Sequence, residues 1–190
     1  MNLPNTITVL RLVAVPVAVW AILGGFIQLA FWVFLAAGIS DGVDGYLARR
    51  WNQRTELGAY LDAIADKALL VSIYVTLAIG DVIPNWLAII VVFRDVMIVG
   101  AVILSWLMEK PITIKPLMVS KLNTVAQILF AAAILSTKGF GVDWGHMLYP
   151  AAFVTAGLTL VSAAAYLAAW MRHMAEPAPP KPSSRKSARE

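Results

Sequence analysis

The sequence predicts an all-α fold, an integral membrane bundle of six transmembrane helices, and three observations predict it. Apolar residues make up 60% of the 190-residue chain and charged residues 14%, with a mean hydropathy of +0.76, outside the range of soluble domains. The apolar residues gather in runs near the ~20 positions needed to cross a bilayer. The runs are broken by glycine and proline pairs, and lysine and arginine concentrate on alternate connections.

Taken in order, the expected spans are residues 5–24, 28–48, 57–79, 84–107, 119–137 and 147–171. The first is read as a retained helix and not a cleaved signal, because Arg11 interrupts it and no basic leader precedes a small-residue cleavage site. Gly24-Gly25, Gly80 with Pro84, Pro111 with Pro116, and Gly139 with Gly141 mark the breaks. Residues 1–174 are expected as one membrane domain, and 175–190, rich in Pro, Ser and basic residues, as a disordered tail. Arg49, Arg50 and Arg54 follow span two; Lys110, Lys115 and Lys121 follow span four; the tail adds further cations. The positive-inside rule then places both termini and both basic connections in the cytoplasm, which accounts for the net charge of +4. No groove-reading or base-stacking element stands outside the spans, so no nucleic-acid partner is expected. With no cysteine, disulfides, thiolate metal sites and cysteine nucleophiles are excluded.

Four aspartates sit within this apolar sequence as two pairs, Asp41 with Asp44 and Asp62 with Asp66. Each carboxylate at membrane depth costs roughly 2.5–3.5 kcal/mol on insertion scales, so a group of four needs a compensating partner. Spacings of i, i+3 and i, i+4 put each pair on one helix face, and the polar turn from Arg49 to Thr55 folds the two helices into an antiparallel hairpin. Carboxylate oxygens suit hard cations, Mg²⁺ or Mn²⁺, one or two in number. Gly38, Gly42, Gly45 and Gly58 allow close approach of backbones or a ligand, and Arg49 has the fork geometry that clamps phosphate. The competing explanation is that the aspartates pair with Arg11, Lys67 or Arg94 as buried ion pairs.

Residues 41–66 match every fixed position of D-x2-D-G-x2-A-R-x8-G-x3-D-x3-D, and so the chain resembles the CDP-alcohol phosphotransferase family. The resemblance implies a six-helix homodimer with its active site at the cytoplasmic face. It implies cleavage of a CDP-linked lipid, with CMP leaving as an alcohol attacks the β-phosphorus. On that basis Asp41, Asp44, Asp62 and Asp66 would form the metal site, with Asp66 also the general base. Asn5, Thr8, Asp44, Gly45, Ala48, Arg49 and Gly58 would meet the nucleotide. Helix capping by Asn5 or Thr6 is the alternative for the first of these.

Within the family, the stretches Trp51–Gly58, Ile83-Pro84, Phe93–Met97 and Ser120–Thr124 are similar to the CMP-forming cardiolipin synthases. The expected donor is therefore CDP-diacylglycerol and the expected acceptor phosphatidylglycerol, with Arg94, Lys121 and Arg11 as candidate acceptor-binding cations. The alternative acceptor is glycerol 3-phosphate, giving phosphatidylglycerophosphate. A divalent-cation transporter is the distant alternative; it would want acids on both sides of the bilayer, whereas here they flank one turn. A bacterial inner membrane is the expected location. His146 and His173 lack a metal-spaced partner, and Trp20, Trp86, Trp106, Trp144 and Trp170 near span ends read as interfacial anchors.

Overall fold

A computed structural model describes the backbone of residues 3–50, 56–108 and 118–175, and the side chains of residues 9–40, 64–108 and 118–175. The described residues form six α-helices and one short 3-10 turn, with no strand among them: α1 (Leu3–Leu23), α2 (Ile27–Arg50), α3 (Glu56–Ile79), α4 (Asn85–Leu107), α5 (Met118–Phe140) and α6 (Leu148–Ala175). Every expected span coincides with one helix, and the boundaries differ by four residues at most. The tail from residue 176 onward lies outside the described residues.

By length and composition, α4, α5 and the stretch Gly145–Ala175 are long and apolar enough to cross a membrane. Val9–Leu23 in α1 and Ile27–Ser40 in α2 are shorter apolar stretches, followed in α2 by the polar residues of the motif. The surface has the character that a hydrocarbon solvent demands. Leu10, Ile79, Ile89, Phe93, Trp106, Leu129 and Tyr149 are all exposed, while Arg11, Arg94, Asp95, Asn123, Gln127 and Thr159 are buried. In water such a distribution would expose far more apolar patch than a soluble monomer tolerates.

α1 packs against both α2 and α3, α3 also against α4, and α6 against α4 and α5, while α2 lies along α5. The apolar core runs through the middle of this arrangement, with Ile73, Tyr74, Leu77, Leu87, Val91 and Leu135 nearly or fully enclosed. Buried polar side chains tie the helices together where no water is available to satisfy them. The Tyr74 hydroxyl donates to the Gln127 carbonyl oxygen (3.0 Å), Gln127 Nε2 to Thr159 Oγ1 (3.3 Å), and Thr159 Oγ1 approaches Asn123 Oδ1 at 2.7 Å. Trp170 Nε1 donates to Ser105 Oγ on α4 (2.9 Å), so this tryptophan is anchored in the bundle through its ring nitrogen.

At the end of α2 opposite Arg50, α5 and α2 approach backbone to backbone. Gln28 Nε2 donates to the Gly139 carbonyl oxygen (2.8 Å), and a Cβ on Gly139 would meet the Gln28 backbone nitrogen at 3.2 Å and its Cα at 3.3 Å. Neither neighbour is the flexible end of a side chain. Gly139→Leu should therefore force the helices apart and cost about 1–3 kcal/mol, the range for overpacking a tight contact. A lowered melting temperature of the detergent-purified protein checks this; Gly157→Leu, with open space around its Cα, is the control that should leave the melting temperature nearly unchanged.

Candidate functional site

The motif occupies the last part of α2 and the first part of α3. Asp41, Asp44, Gly45, Ala48 and Arg49 lie on α2; Gly58, Asp62 and Asp66 lie on α3. At 1.5 Å per residue, Asp44 stands about 9 Å along α2 from Arg50, and Asp62 about 9 Å along α3 from Glu56. By the same measure, Asp41 and Asp66 stand about 14 and 15 Å from those helix ends. The two pairs are thus matched in depth about the connection at residues 51–55. The side chains of Asp41, Asp44 and Asp62, and those of Asn5, Thr8, Arg49 and the small motif residues, lie outside the described residues. α1 already includes Leu3, so Asn5 and Thr6 fall within its first turn and not at the cap position considered for them.

Asp66 is described, and it carries the site's measured geometry. Its carboxylate Oδ1 is 2.8 Å from Arg11 Nη1 on α1; the Asp66 side chain is 39% exposed and that of Arg11 only 1%. Of the ion pairs considered for the four acids, Arg11 with Asp66 is therefore realised. Arg11 also lines a cavity of about 220 Å³ between α1 and α2, bounded by Leu10, Ala14, Val33, Ala37 and Ser40 among others. Ser40 directly precedes Asp41, so this space adjoins the depth of the outer aspartate pair. The larger apolar groove, about 630 Å³ and lined by Phe31, Leu129, Trp144 and Val154 among others, lies elsewhere: Phe31 is about 15 Å along α2 from Asp41. It belongs to the opposite end of the bundle.

Residue 67 turns the other way. Lys67 Nζ pairs with Asp95 Oδ1 on α4 at 2.5 Å, and the same oxygen accepts from Arg94 Nη1 at 2.6 Å. Arg94 is 3% exposed. Its Nη2 donates to Ser120 Oγ on α5 (2.5 Å) and Ser162 Oγ on α6 (2.9 Å), and its guanidinium stands 5.6 Å from the centroid of the Tyr166 ring. Arg94 Nε and Asn123 Nδ2 are buried donors with no hydrogen-bond partner among the described residues. Lys121, one residue beyond Ser120, is exposed. Among the described residues, Lys67 and Arg94 both pair with Asp95. Of the serines that complete the Arg94 cage, Ser162 was not singled out from sequence and Ser120 only within the Ser120–Thr124 stretch, since a single hydroxyl within a span carries no signal of its partner. Their spacing did hold one: Asn123 and Gln127 at i, i+4, and Thr155, Thr159 and Ser162, line up as polar stripes on otherwise apolar helices.

As to a cation, the donor set is chemically suited: carboxylate oxygen alone, with a partly open Asp66 at matched depth with Asp41. Among the described residues no three His, Cys, Asp or Glu side chains gather, three of the four acids being outside them. His146, in the exposed 3-10 turn, and His173, near the end of α6, belong to no such group either.

A family model described as CDP-alcohol phosphatidyltransferase matches residues 1–173. The human "Cardiolipin synthase (CMP-forming)" is 33% identical over 181 residues, covering 87% of this chain and 60% of that protein. A Drosophila melanogaster "Probable cardiolipin synthase (CMP-forming)" is 35% identical over 167 residues, 80% of this chain and 51% of its own length. The chain thus spans between half and two thirds of these two relatives. The Salmonella choleraesuis "CDP-diacylglycerol--glycerol-3-phosphate 3-phosphatidyltransferase" is 33% identical over 177 residues, 88% of this chain and 94% of that protein.

The Asp95 pairings yield a stability test. Asp95→Asn leaves the buried Arg94 and its neighbour Lys67 without their shared counter-ion, which should cost about 3 kcal/mol or more. Arg94→Met combined with Asp95→Asn should recover much of that loss, because the stranded buried cation is gone. Denaturation midpoints of the single and double variants in the same detergent measure both effects.

Proposed function

Because the chain belongs to the CDP-alcohol phosphatidyltransferase family, we propose that it transfers the phosphatidyl group of CDP-diacylglycerol to phosphatidylglycerol, releasing CMP and forming cardiolipin. The observation that supports the transfer chemistry is the complete motif from Asp41 to Asp66, carried on two helices with its aspartates at similar distances along each from residues 51–55. The acceptor rests on the stretches shared with cardiolipin-forming relatives and on the names those relatives bear. Glycerol 3-phosphate is the second reading, favoured by the Salmonella relative, which the chain covers almost end to end.

We place Asp41, Asp44, Asp62 and Asp66 around Mg²⁺ or Mn²⁺. When bound, the metal neutralises the pyrophosphate and stabilises negative charge on the departing CMP. Gly45, Ala48 and Gly58 keep the nucleotide's approach clear, while Arg49, with Asn5 and Thr8, binds its polar edges. Asp66 accepts the proton of the attacking hydroxyl as that oxygen bonds to the β-phosphorus and the bond to CMP breaks. On the acceptor side, exposed Lys121 makes the direct contact with the acceptor's phosphate. Arg94 acts beside it through Ser120, which it holds in place at the start of α5. Arg11 is left out of this set because its guanidinium is turned to Asp66. The enzyme works as a homodimer of six-span subunits, both termini and the active site facing the cytoplasm of a bacterial inner membrane.

Purified protein with Mn²⁺ or Mg²⁺ and radiolabelled CDP-diacylglycerol, offered each acceptor separately, tests the proposal by its lipid product. Cardiolipin with phosphatidylglycerol supports the first reading; product only with glycerol 3-phosphate supports the second. Absence of CMP release with any alcohol, alongside cation uptake into proteoliposomes, would replace both with transport. Asp66→Asn should lower turnover at least about 10²-fold, the scale of general-base loss, while CDP-diacylglycerol binding stays within a few-fold. Lys121→Ala and Arg94→Ala should each raise the KM for the acceptor more than that for the CDP-lipid, measured on variants that retain the wild-type elution profile.

A further inference from the structure

The Arg11–Asp66 pair joins a nearly inaccessible guanidinium on α1 to a partly open carboxylate at the deep end of the motif. A cation in the motif and the Arg11 guanidinium both seek negative charge from the same carboxylate. A carboxylate offers about four lone-pair directions over two oxygens, but two positive groups close to one of them repel each other strongly in a low-dielectric bundle. The guanidinium also has somewhere to go. Arg11 lines the 220 Å³ cavity whose far wall is Val33, Ala36, Ala37 and Ser40 of α2. Small side chains on that wall leave the space unfilled, and the Ser40 hydroxyl is its polar group on α2, although that hydroxyl also donates to the Ala36 carbonyl oxygen (2.7 Å).

We propose that Arg11 is a positioning residue: an internal counter-ion that holds the Asp66 carboxylate before a cation binds and withdraws toward the α1–α2 cavity when one does. This deepens the functional reading above and rests on it. Arg11 touches neither substrate nor reacting atoms in this role. It sets where Asp66 points and how strongly the site attracts a metal, with the resting ion pair opposing the cation.

Mn²⁺ binding to the full-length, detergent-purified protein, followed by electron paramagnetic resonance with no lipid present, reads this directly. Removing the competing cation in Arg11→Gln should tighten Mn²⁺ binding about three- to tenfold. Ala36→Leu should do the reverse. By filling the cavity it confines the guanidinium against Asp66, weakening Mn²⁺ binding at unchanged Arg11 chemistry. It also serves where Arg11→Gln does not fold. A purely structural Arg11 would make Arg11→Gln loosen or leave unchanged its Mn²⁺ affinity, and an acceptor-binding Arg11 would raise the acceptor KM with Mn²⁺ affinity unmoved. Either result overturns the proposal, as does unaltered Mn²⁺ binding in Ala36→Leu. Wild-type protein that binds no Mn²⁺ and releases no CMP would instead remove the functional reading on which it rests.

Discussion

Charge buried in an apolar bundle has to be matched within the bundle, and α3 shows how this protein does it. Asp66 and Lys67 are consecutive, so at 3.6 residues per turn their side chains leave the helix about 100° apart. One reaches α1 through Arg11, the other reaches α4 through Asp95. The helix that carries half of the acidic motif is thereby fastened on two sides by ion pairs of opposite polarity. Asp95 in turn accepts from Arg94, which extends the connection to α5 and α6 through Ser120 and Ser162. Five of the six helices are joined by this one chain of charged and polar contacts. Loss of Asp95 would strand the buried Arg94, and that is costlier than never having buried the pair.

The remaining polar contacts serve a different purpose. Tyr74, Gln127, Thr159 and Asn123 are neutral, so leaving one unmatched costs less than stranding a charge. They fix the rotation of α5 and α6 about their own axes, because a turned helix would face these amides and hydroxyls toward lipid. Apolar packing alone would hold register weakly here. Lipid tails are as apolar as the Leu, Val and Ile side chains that coat the outside of the bundle, so burying those side chains gains little.

Length and hydropathy were sufficient to locate all six helices, and three of the breaks fall at Gly or Pro positions that the structure uses, Gly25, Pro84 and Gly141. The motif was equally legible, for its spacing is a local property of two adjoining helices. Partners were not. Arg94 was read as a cation facing the acceptor; the structure pairs it with the adjacent Asp95, and its Ser120 and Ser162 contacts join residues 26 and 68 positions away. Periodicity tells which side of a helix faces inward and says nothing of what meets it there. Arg11 illustrates the same gap. Its position inside the first span invited both an acceptor role and an ion pair with the aspartates, and the packing of α1 on α3 brings it to Asp66, a contact no local pattern announces.

That packing bears on how such a site can be assembled at all. In the proposed site four carboxylates would repel one another, and a bundle that required a cation to fold would be unstable whenever the cation was scarce. On that proposal the arginine on the adjoining helix offsets part of the repulsion in the cation-free protein and lowers the affinity for the cation. That role also explains why Arg11 is enclosed to 1% while its partner stays partly open: the counter-ion has to belong to the fold, and the carboxylate has to remain within reach of whatever enters the site.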